Sequence, residues 1–323
     1  MNRTLLLVAL ASGLWLVHAS PGTAQEKIPR IGFLSYCVSS FDEQGFKQGL
    51  RELGYLEGKN IVIEWRRFLE NPAQLRGAAD ALVRSKVDVL VTCSTPATGA
   101  ALDATKTIPI VFTATGDPVG TGLVASLAHP GANGTGVSIQ NPELATKRLD
   151  LLRQLAPGAR RVVYLSNLSS RGSALAMKTT QAAANALNIR LQAYSIRNAA
   201  EVDAALHAIP WGSIDGVLVG ADVVALSQGA EIAQAVRKAR LPAVFPWRQF
   251  HEYGVLMSYG PDSRELMRRG AYYVDKILKG AKPSDLPVEQ VSKVDLVIDL
   301  RVARELGIKV APELMYRADE VMR

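Results

Sequence analysis

The sequence predicts an α/β protein built as two doubly wound parallel-sheet (Rossmann-like) lobes, and three observations predict it. Short apolar runs alternate with longer helical patterns from Arg30 onward, the same series of runs returns roughly 130 residues later, and two further strand-like runs follow the second series. Alternation at this spacing marks right-handed βαβ units, a parallel sheet with helices on both faces. With 323 residues, 48% of them hydrophobic, the chain is long enough for two lobes that each bury a core.

The elements follow in order. Residues 31–35 form a buried strand, 41–53 a helix that stops at Gly54, 61–65 a strand, 72–85 a helix, 87–92 a strand, 96–105 a helix and 108–112 a strand. The glycine-rich stretch 131–136 has the wrong spacing for a dinucleotide fingerprint and reads as a turn. The series then restarts: RIGFLSY (30–36) is answered by RVVYLSN (161–167), NIVI (60–63) by NIRL (188–191), VDVLV (87–91) by IDGVLV (214–219), and IPIVF (108–112) by LPAVF (241–245). Buried parallel strands all resemble one another, but four matches in the same order favour two similar lobes. The surplus strands at 254–259 and 294–298, with helices at 262–279 and 301–306, imply that the chain crosses between the lobes more than once. The expected division is 25–138 with 256–290 for the N-terminal lobe, and 139–255 with 291–323 for the C-terminal lobe.

Residues 1–24 read as a secretory signal peptide: Arg3 supplies the positive start, 5–17 the apolar run, and Gly22 and Ala24 the small residues before cleavage. That run is too short to span ~30 Å of hydrocarbon. No cysteine lies at the cleavage region, so a soluble, unlipidated protein of the periplasm is expected.

Composition removes several classes of function. Net charge is +7, but basic and acidic residues are interspersed and no block of five Lys/Arg occurs, so no nucleic-acid partner is expected. Two cysteines and four scattered histidines build no zinc or other metal site. The chain contains no GxSxG elbow, no Walker loop and no GxGxxG after a strand, so no cofactor is expected.

Ligands of open parallel sheets bind beyond the carboxyl ends of the strands, which selects the candidate residues. These are Ser35 and Tyr36 after the first strand, Ser94, Thr95, Pro96 and Ala97 after the third, and Thr113, Ala114 and Asp117 after the fourth. The second series contributes Asn167, Asp222 and Arg248, and the next run Tyr259. Ser94–Ala97 is the sharpest: a capping Ser, Pro in the first turn and outward amides suit a carboxylate, although an ordinary helix cap has the same sequence. Asp222 could receive an ammonium or hydroxyl group, or simply cap the segment beginning at Val223. Tyr36, Trp247 and Tyr259 could wall a pocket, whereas Phe112 and Phe245 lie inside strand runs and read as core. Cys37 and Cys93 follow strands that are neighbours in a 2-1-3-4 order; an exported protein permits a disulfide there, with two separate thiols as the alternative.

At these residues the chain resembles the ABC-transporter substrate-binding protein family related to tryptophan/tyrosine-binding lipoproteins. The matching stretches are GFKQGLRELGYLEGKNIVIEWR (45–66), STPATGAALDATKTIPIVF (94–112), GDPVGTGLVASLAHPGANGTGVS (116–138), LPAVFPWRQF (241–250), LMSYGPD (256–262) and YVDKILKGAKPSDLPVEQ (273–290). The resemblance implies a type I periplasmic-binding-protein fold, three interlobe crossings, and hinge closure on a solute delivered to an ABC permease in the inner membrane. By position it gives Ser94–Ala97 to a ligand carboxylate, with Asn167 and Asp222 closing from the second lobe. Cys37 and Cys93 depart from the small residues expected there, and the lipid-attachment cysteine is missing. The expected protein is a monomeric, non-enzymatic receptor for a small carboxylate-bearing solute, such as an apolar or aromatic amino acid. A periplasmic sensor signalling to a receptor is the alternative. Less favoured is a hydrolase or isomerase using Asp117 or Asp222 with a histidine.

Overall fold

The computed structural model describes residues 27–36, 40–67 and 73–323; the expected leader 1–24 and Cys37 lie outside the described residues. The N-terminal lobe begins with β1 (Arg30–Ser35), α1 (Ser40–Glu52), β2 (Val62–Arg67), α2 (Gln74–Arg84), β3 (Val89–Cys93), α3 (Thr95–Ala104), β4 (Ile110–Thr115) and β5 (Gly134–Ser138). The chain then crosses into the C-terminal lobe: α4 (Asn141–Leu155), β6 (Arg161–Ser166), α5 (Arg171–Ala186), β7 (Arg190–Ser195), α6 (Ala199–Ala208) and β8 (Gly216–Val219). This lobe continues with α7 (Val223–Ser227), α8 (Gly229–Lys238), β9 (Ala243–Phe245) and β10 (Met257–Gly260). A second crossing returns α9 (Ser263–Leu278) and β11 (Glu289–Gln290) to the first lobe. A third delivers β12 (Asp295–Asp299), α10 (Leu300–Leu306), α11 (Pro312–Tyr316) and β13 (Glu320–Met322) to the second.

The first sheet has the order β11-β5-β4-β3-β1-β2 and the second β13-β12-β10-β9-β8-β6-β7. All described pairings are parallel except β10 with β12, because the third crossing enters the second sheet from the opposite end. The central strands are buried on both faces, as covered parallel strands must be: VLVTC of β3 and GVLV of β8 are buried throughout. Each sheet carries a core on either side. In the first lobe, one core gathers Phe33, Phe46 and Val91 under α1 and α9, and the other gathers Leu34, Leu82 and Ala101 under α2 and α3.

Two expectations need correction. Residues 131–136 are not simply a turn, because Gly134–Ser138 is β5 and pairs with β4. Gly136 allows this at φ 146°, where a Cβ would lie 1.9 Å from the Phe112 carbonyl oxygen; the glycines serve close backbone approach between neighbouring strands. The N-terminal share of the tail also begins later than residue 256, since Met257–Gly260 pairs with β9 and β12 in the second sheet. The lobe changes between Gly260 and Ser263 instead.

The returning helix α9 is seated on α1 through two glycines. A Cβ at Gly45 would stand 2.5 Å from the Arg264 carbonyl oxygen, and one at Gly49 would stand 2.7 Å from that of Arg268. Tyr55 Oη donates to Asp275 at 3.0 Å, and Lys279 pairs with the same carboxylate at 2.8 Å. Gly49→Val should therefore force α1 and α9 apart and cost about 1–3 kcal/mol or more in urea unfolding. An unchanged midpoint would show that the helices can slide without loss.

Candidate functional site at the interlobe cleft

The carboxyl edges of the two sheets face each other across the crossings. On the first edge, β3 runs into α3 with no loop between them. Ser94 makes that turn at φ 90° and ψ 155°, a conformation that favours glycine, and its Oγ accepts from Ala97 N at 3.5 Å. Three threonine hydroxyls fix the turn from below. Thr98 Oγ1 donates to the Ser94 carbonyl at 2.8 Å, so it accepts from Thr92 Oγ1 at 2.9 Å and Thr115 Oγ1 at 3.0 Å. Within the first turn of α3, Pro96 has no N–H, Ala97 N–H goes to Ser94 Oγ and Thr98 N–H to Ser94 O, leaving the Thr95 amide as the donor the turn does not use. The opening of α3 therefore offers far fewer amides than its sequence suggests. Ala114, at φ 50°, turns the end of β4 beside it.

On the second edge, β6 ends in Ser166 and Asn167. Asp222, 8% exposed, accepts from Ser166 Oγ at 2.7 Å and Asn167 N at 2.8 Å on Oδ2, and from Ala225 N at 2.9 Å on Oδ1. It caps α7, as its capping alternative required. Burial pushes its carboxyl pKa up, and the amides of Ala225, Asn167 and Val224 with the Ser166 hydroxyl pull it back.

The edges meet. Thr95 Oγ1 accepts from Gly116 N at 3.1 Å and stands 2.9 Å from where a Cβ of Gly172, on α5, would be. Val223 of the second lobe is buried in the first lobe's cluster with Tyr36. Between the edges lies a cavity of about 50 Å³ lined from both lobes. It gathers Tyr36, Ser94, Thr95, Pro96, Ala114, Asn167 and Asp222 from the sequence candidates, with Trp247 as a wall. Trp247 stacks on Phe250 at 6.2 Å between centroids, and Phe250 contacts Phe245 at 5.0 Å, so the wall is braced. The structure adds Ile139 and Asn141 from the first crossing and Ser170, Gly172 and Ser173 from the start of α5. The α5 group follows Asn167 in one strand-to-helix loop and was reachable by extending the carboxyl-edge rule a few residues. The pair at the first crossing carried no such signal.

The remaining candidates fall outside the lining of this cavity. Ser35 and Ala97 are buried behind it. Thr113 faces α9, its hydroxyl donating to Thr92 O at 3.0 Å beside Met267. Asp117 closes its own turn by accepting from Gly120 N at 2.8 Å, and Tyr259 O accepts from Arg148 Nε at 2.8 Å. Cys93, 1% exposed, is disulfide-bonded; its expected partner Cys37 lies outside the described residues. Arg248 pairs with Glu320 at 2.7 Å in a separate, open groove of about 440 Å³ beside the second crossing.

In that groove, His251 lies 3.0 Å from Ser258 Oγ, and its Nδ1 has no partner. Burial pushes its pKa down to about 4. The folded state therefore favours neutral imidazole. Its contribution to stability is full above the ordinary value of about 6.5 and is lost as pH falls towards 4. Unfolding free energy should decline over that window by up to about 3 kcal/mol on this account, and His251→Gln should flatten the decline. An equal slope in the variant would assign the effect elsewhere.

A cleft between two doubly wound lobes, joined by three crossings and lined from both sheet edges, defines a hinged two-lobe binding protein of the type I periplasmic-binding-protein fold. The chain belongs to the ABC transporter substrate binding protein family, whose pattern it matches over residues 33–322. It is thus a solute-binding protein of the ABC-transporter class and not an enzyme. It is 28% identical over 267 residues to the tyrosine-binding protein of Clostridioides difficile strain R20291, covering 83% of this chain and 76% of that one. A Streptococcus pneumoniae domain crystallised with L-Trp superimposes with a TM-score of 0.85 at 26% identity, over 92% of this chain and 100% of that one. The ligand-free, open structure of an adhesive substrate-binding protein from Clostridium difficile gives 0.65 at 25% identity, over 92% and 99%. The whole chain thus superimposes better on the tryptophan complex than on the open protein. Gly172→Trp should prop the cleft open, raising the radius of gyration in X-ray scattering while each lobe stays folded; an unchanged radius would show that closure does not use this contact.

Proposed function

We propose that this chain, exported to the periplasm by residues 1–24, captures a small carboxylate-bearing solute in the interlobe cleft and presents it, closed, to an ABC permease of the inner membrane. An amino acid is the preferred solute, and the protein acts as a monomer. One observation carries the reading: the cavity is lined by Ser94, Thr95 and Pro96, at the opening of α3, on one edge and by the buried Asp222 carboxyl on the other. These two groups suit the carboxylate and the amine of one zwitterion. The names of the relatives, tyrosine-binding and L-Trp-bound, support the amino-acid class. The cavity of about 50 Å³, braced by Trp247, favours compact solutes in this conformation. A solute can drive closure only by binding the closed arrangement more tightly than the open one.

A thermal-shift panel of L-amino acids and their des-amino acids tests this. A ligand at about 100 times its dissociation constant adds ~2.7 kcal/mol, a shift of several degrees. Asp222→Asn, which keeps an acceptor for the α7 cap, should weaken amine-bearing ligands at least tenfold and their des-amino analogues little. Equal losses would leave Asp222 a cap alone, and a panel without any shift would overturn the solute class.

A further inference from the structure

The loop between β4 and β5 belongs to the first lobe and touches the second. We propose that its turn Asp117–Val124 is a clasp that holds the lobes shut from outside the cavity, with Asp117 as the positioning residue that shapes it. The clasp sets how tightly any solute is held, not which solute is chosen. Its effect on affinity rests on a solute being captured by closure; the contact between the lobes does not.

The turn is fixed within its own lobe. Asp117 Oδ1 accepts from Gly120 N at 2.8 Å, and the Asp117 carbonyl accepts from Thr121 N at 3.0 Å. The Pro118 carbonyl accepts from Leu123 N at 2.8 Å and Val124 N at 3.1 Å. Two side chains then tie the end of the turn down. Val124, 6% exposed, packs with Phe112 of β4 and Val288, and Leu123 lies against the core of Leu82 and Ala101. The turn is therefore part of the first lobe and moves with it.

The second lobe meets it with α5. Arg171 and Leu175 stand one turn apart on the same side of that helix. A Cβ on Gly120 would lie 2.6 Å from Leu175 Cδ2, so the leucine methyl takes the place that a side chain at 120 would need. Arg171 Nη1 donates to Thr121 O at 3.5 Å, at the long end of the hydrogen-bond range. These two residues bracket Gly172, whose approach to Thr95 brings the sheet edges together. Asp117, Gly120, Thr121, Arg171 and Leu175 all stay out of the cavity lining, which takes their neighbours Gly116, Gly172 and Ser173 instead.

A contact made between lobes, and not with the solute, favours the closed arrangement by the same amount whatever the cleft holds. Apparent affinity scales with the fraction of protein in the binding-competent arrangement, so such a contact moves all solutes together. A turn already held by its own hydrogen bonds also gives up little freedom when the lobes meet. Without the Asp117 carboxylate, Gly120 N loses its acceptor and the turn loses the shape that seats Leu175. Asp117 thus acts on solutes through Gly120 and Leu175.

Asp117→Ala and Leu175→Ala, one on each side of the contact, are compared with wild type by X-ray scattering without ligand and by stopped-flow binding of L-tryptophan, L-valine and 3-methylbutanoate. Both variants should have a larger radius of gyration. Each should weaken every probe that binds wild type by one common factor, about three- to tenfold, through faster dissociation. Asp117→Asn, which keeps an oxygen for Gly120 N, should stay near wild type. The double variant should lose no more than the weaker of the two single variants, because both act through one contact. A common loss with an unchanged radius still supports the clasp, since the ligand-free protein is then already open. Losses confined to the amine-bearing probes would make Asp117 a solute contact and overturn the clasp, as would additive losses or unchanged affinities. If no probe binds wild-type protein, the amino-acid reading falls and the radius alone decides: a wild-type value in both variants overturns the clasp.

Discussion

Closure of the cleft rests on the absence of a side chain at position 172. The hydroxyl of Thr95 occupies the space that a Cβ there would need, so the first turns of α3 and α5 come together nearly backbone to side chain. Everything else at the site follows from that approach. It goes with Val223 buried in the opposite core and with a cleft in which Asp222 is largely removed from water. Hydrogen bonds made in such a place gain strength, and unpaired groups become correspondingly expensive. That is why the donors on Asp222 matter: they make a buried carboxylate tolerable before any solute arrives.

Much of the fold was legible because a parallel strand covered on both faces has few ways to be written. Runs such as VDVLV and IDGVLV announce burial through β-branched and aliphatic residues, and their even spacing announces the crossover helices. The surplus runs after Phe245 correctly pointed to repeated crossings. What failed were boundaries governed by backbone contact instead of side-chain pattern. β5 was hidden because Gly134 and Gly136 leave room for Leu102 and the Phe112 backbone, so a strand is written with turn residues. β10 was given to the wrong lobe because an apolar run of four residues does not say which sheet receives it.

The site was legible to the extent that it obeys the carboxyl-edge rule. Ser94, Thr95, Asn167 and Asp222 stand where strand ends put them. Thr113 and Asp117 obey the same rule in sequence, but one points into the helix layer and the other folds onto its own turn. A strand end has two faces, and alternation alone does not tell which one meets the cleft. Arg248 and Tyr259 likewise stand at strand ends, and the structure gives them to an ion pair and to the support of α4. Arg148, the donor to Tyr259, stands at no strand end: in sequence it is one more basic residue of an amphipathic helix, and only the packing of α4 across β6 buries it.

The return of α9 to the first lobe has a consequence for how the protein is made. Leu266, Met267, Val274 and Ile277 complete the core that Phe33 and Phe46 begin, more than two hundred residues earlier in the chain. The leading half emerging from the ribosome therefore cannot finish folding on its own, and its native contacts wait for almost the last part of the polypeptide. Completion of the first lobe is in this way tied to the arrival of α9, late in synthesis.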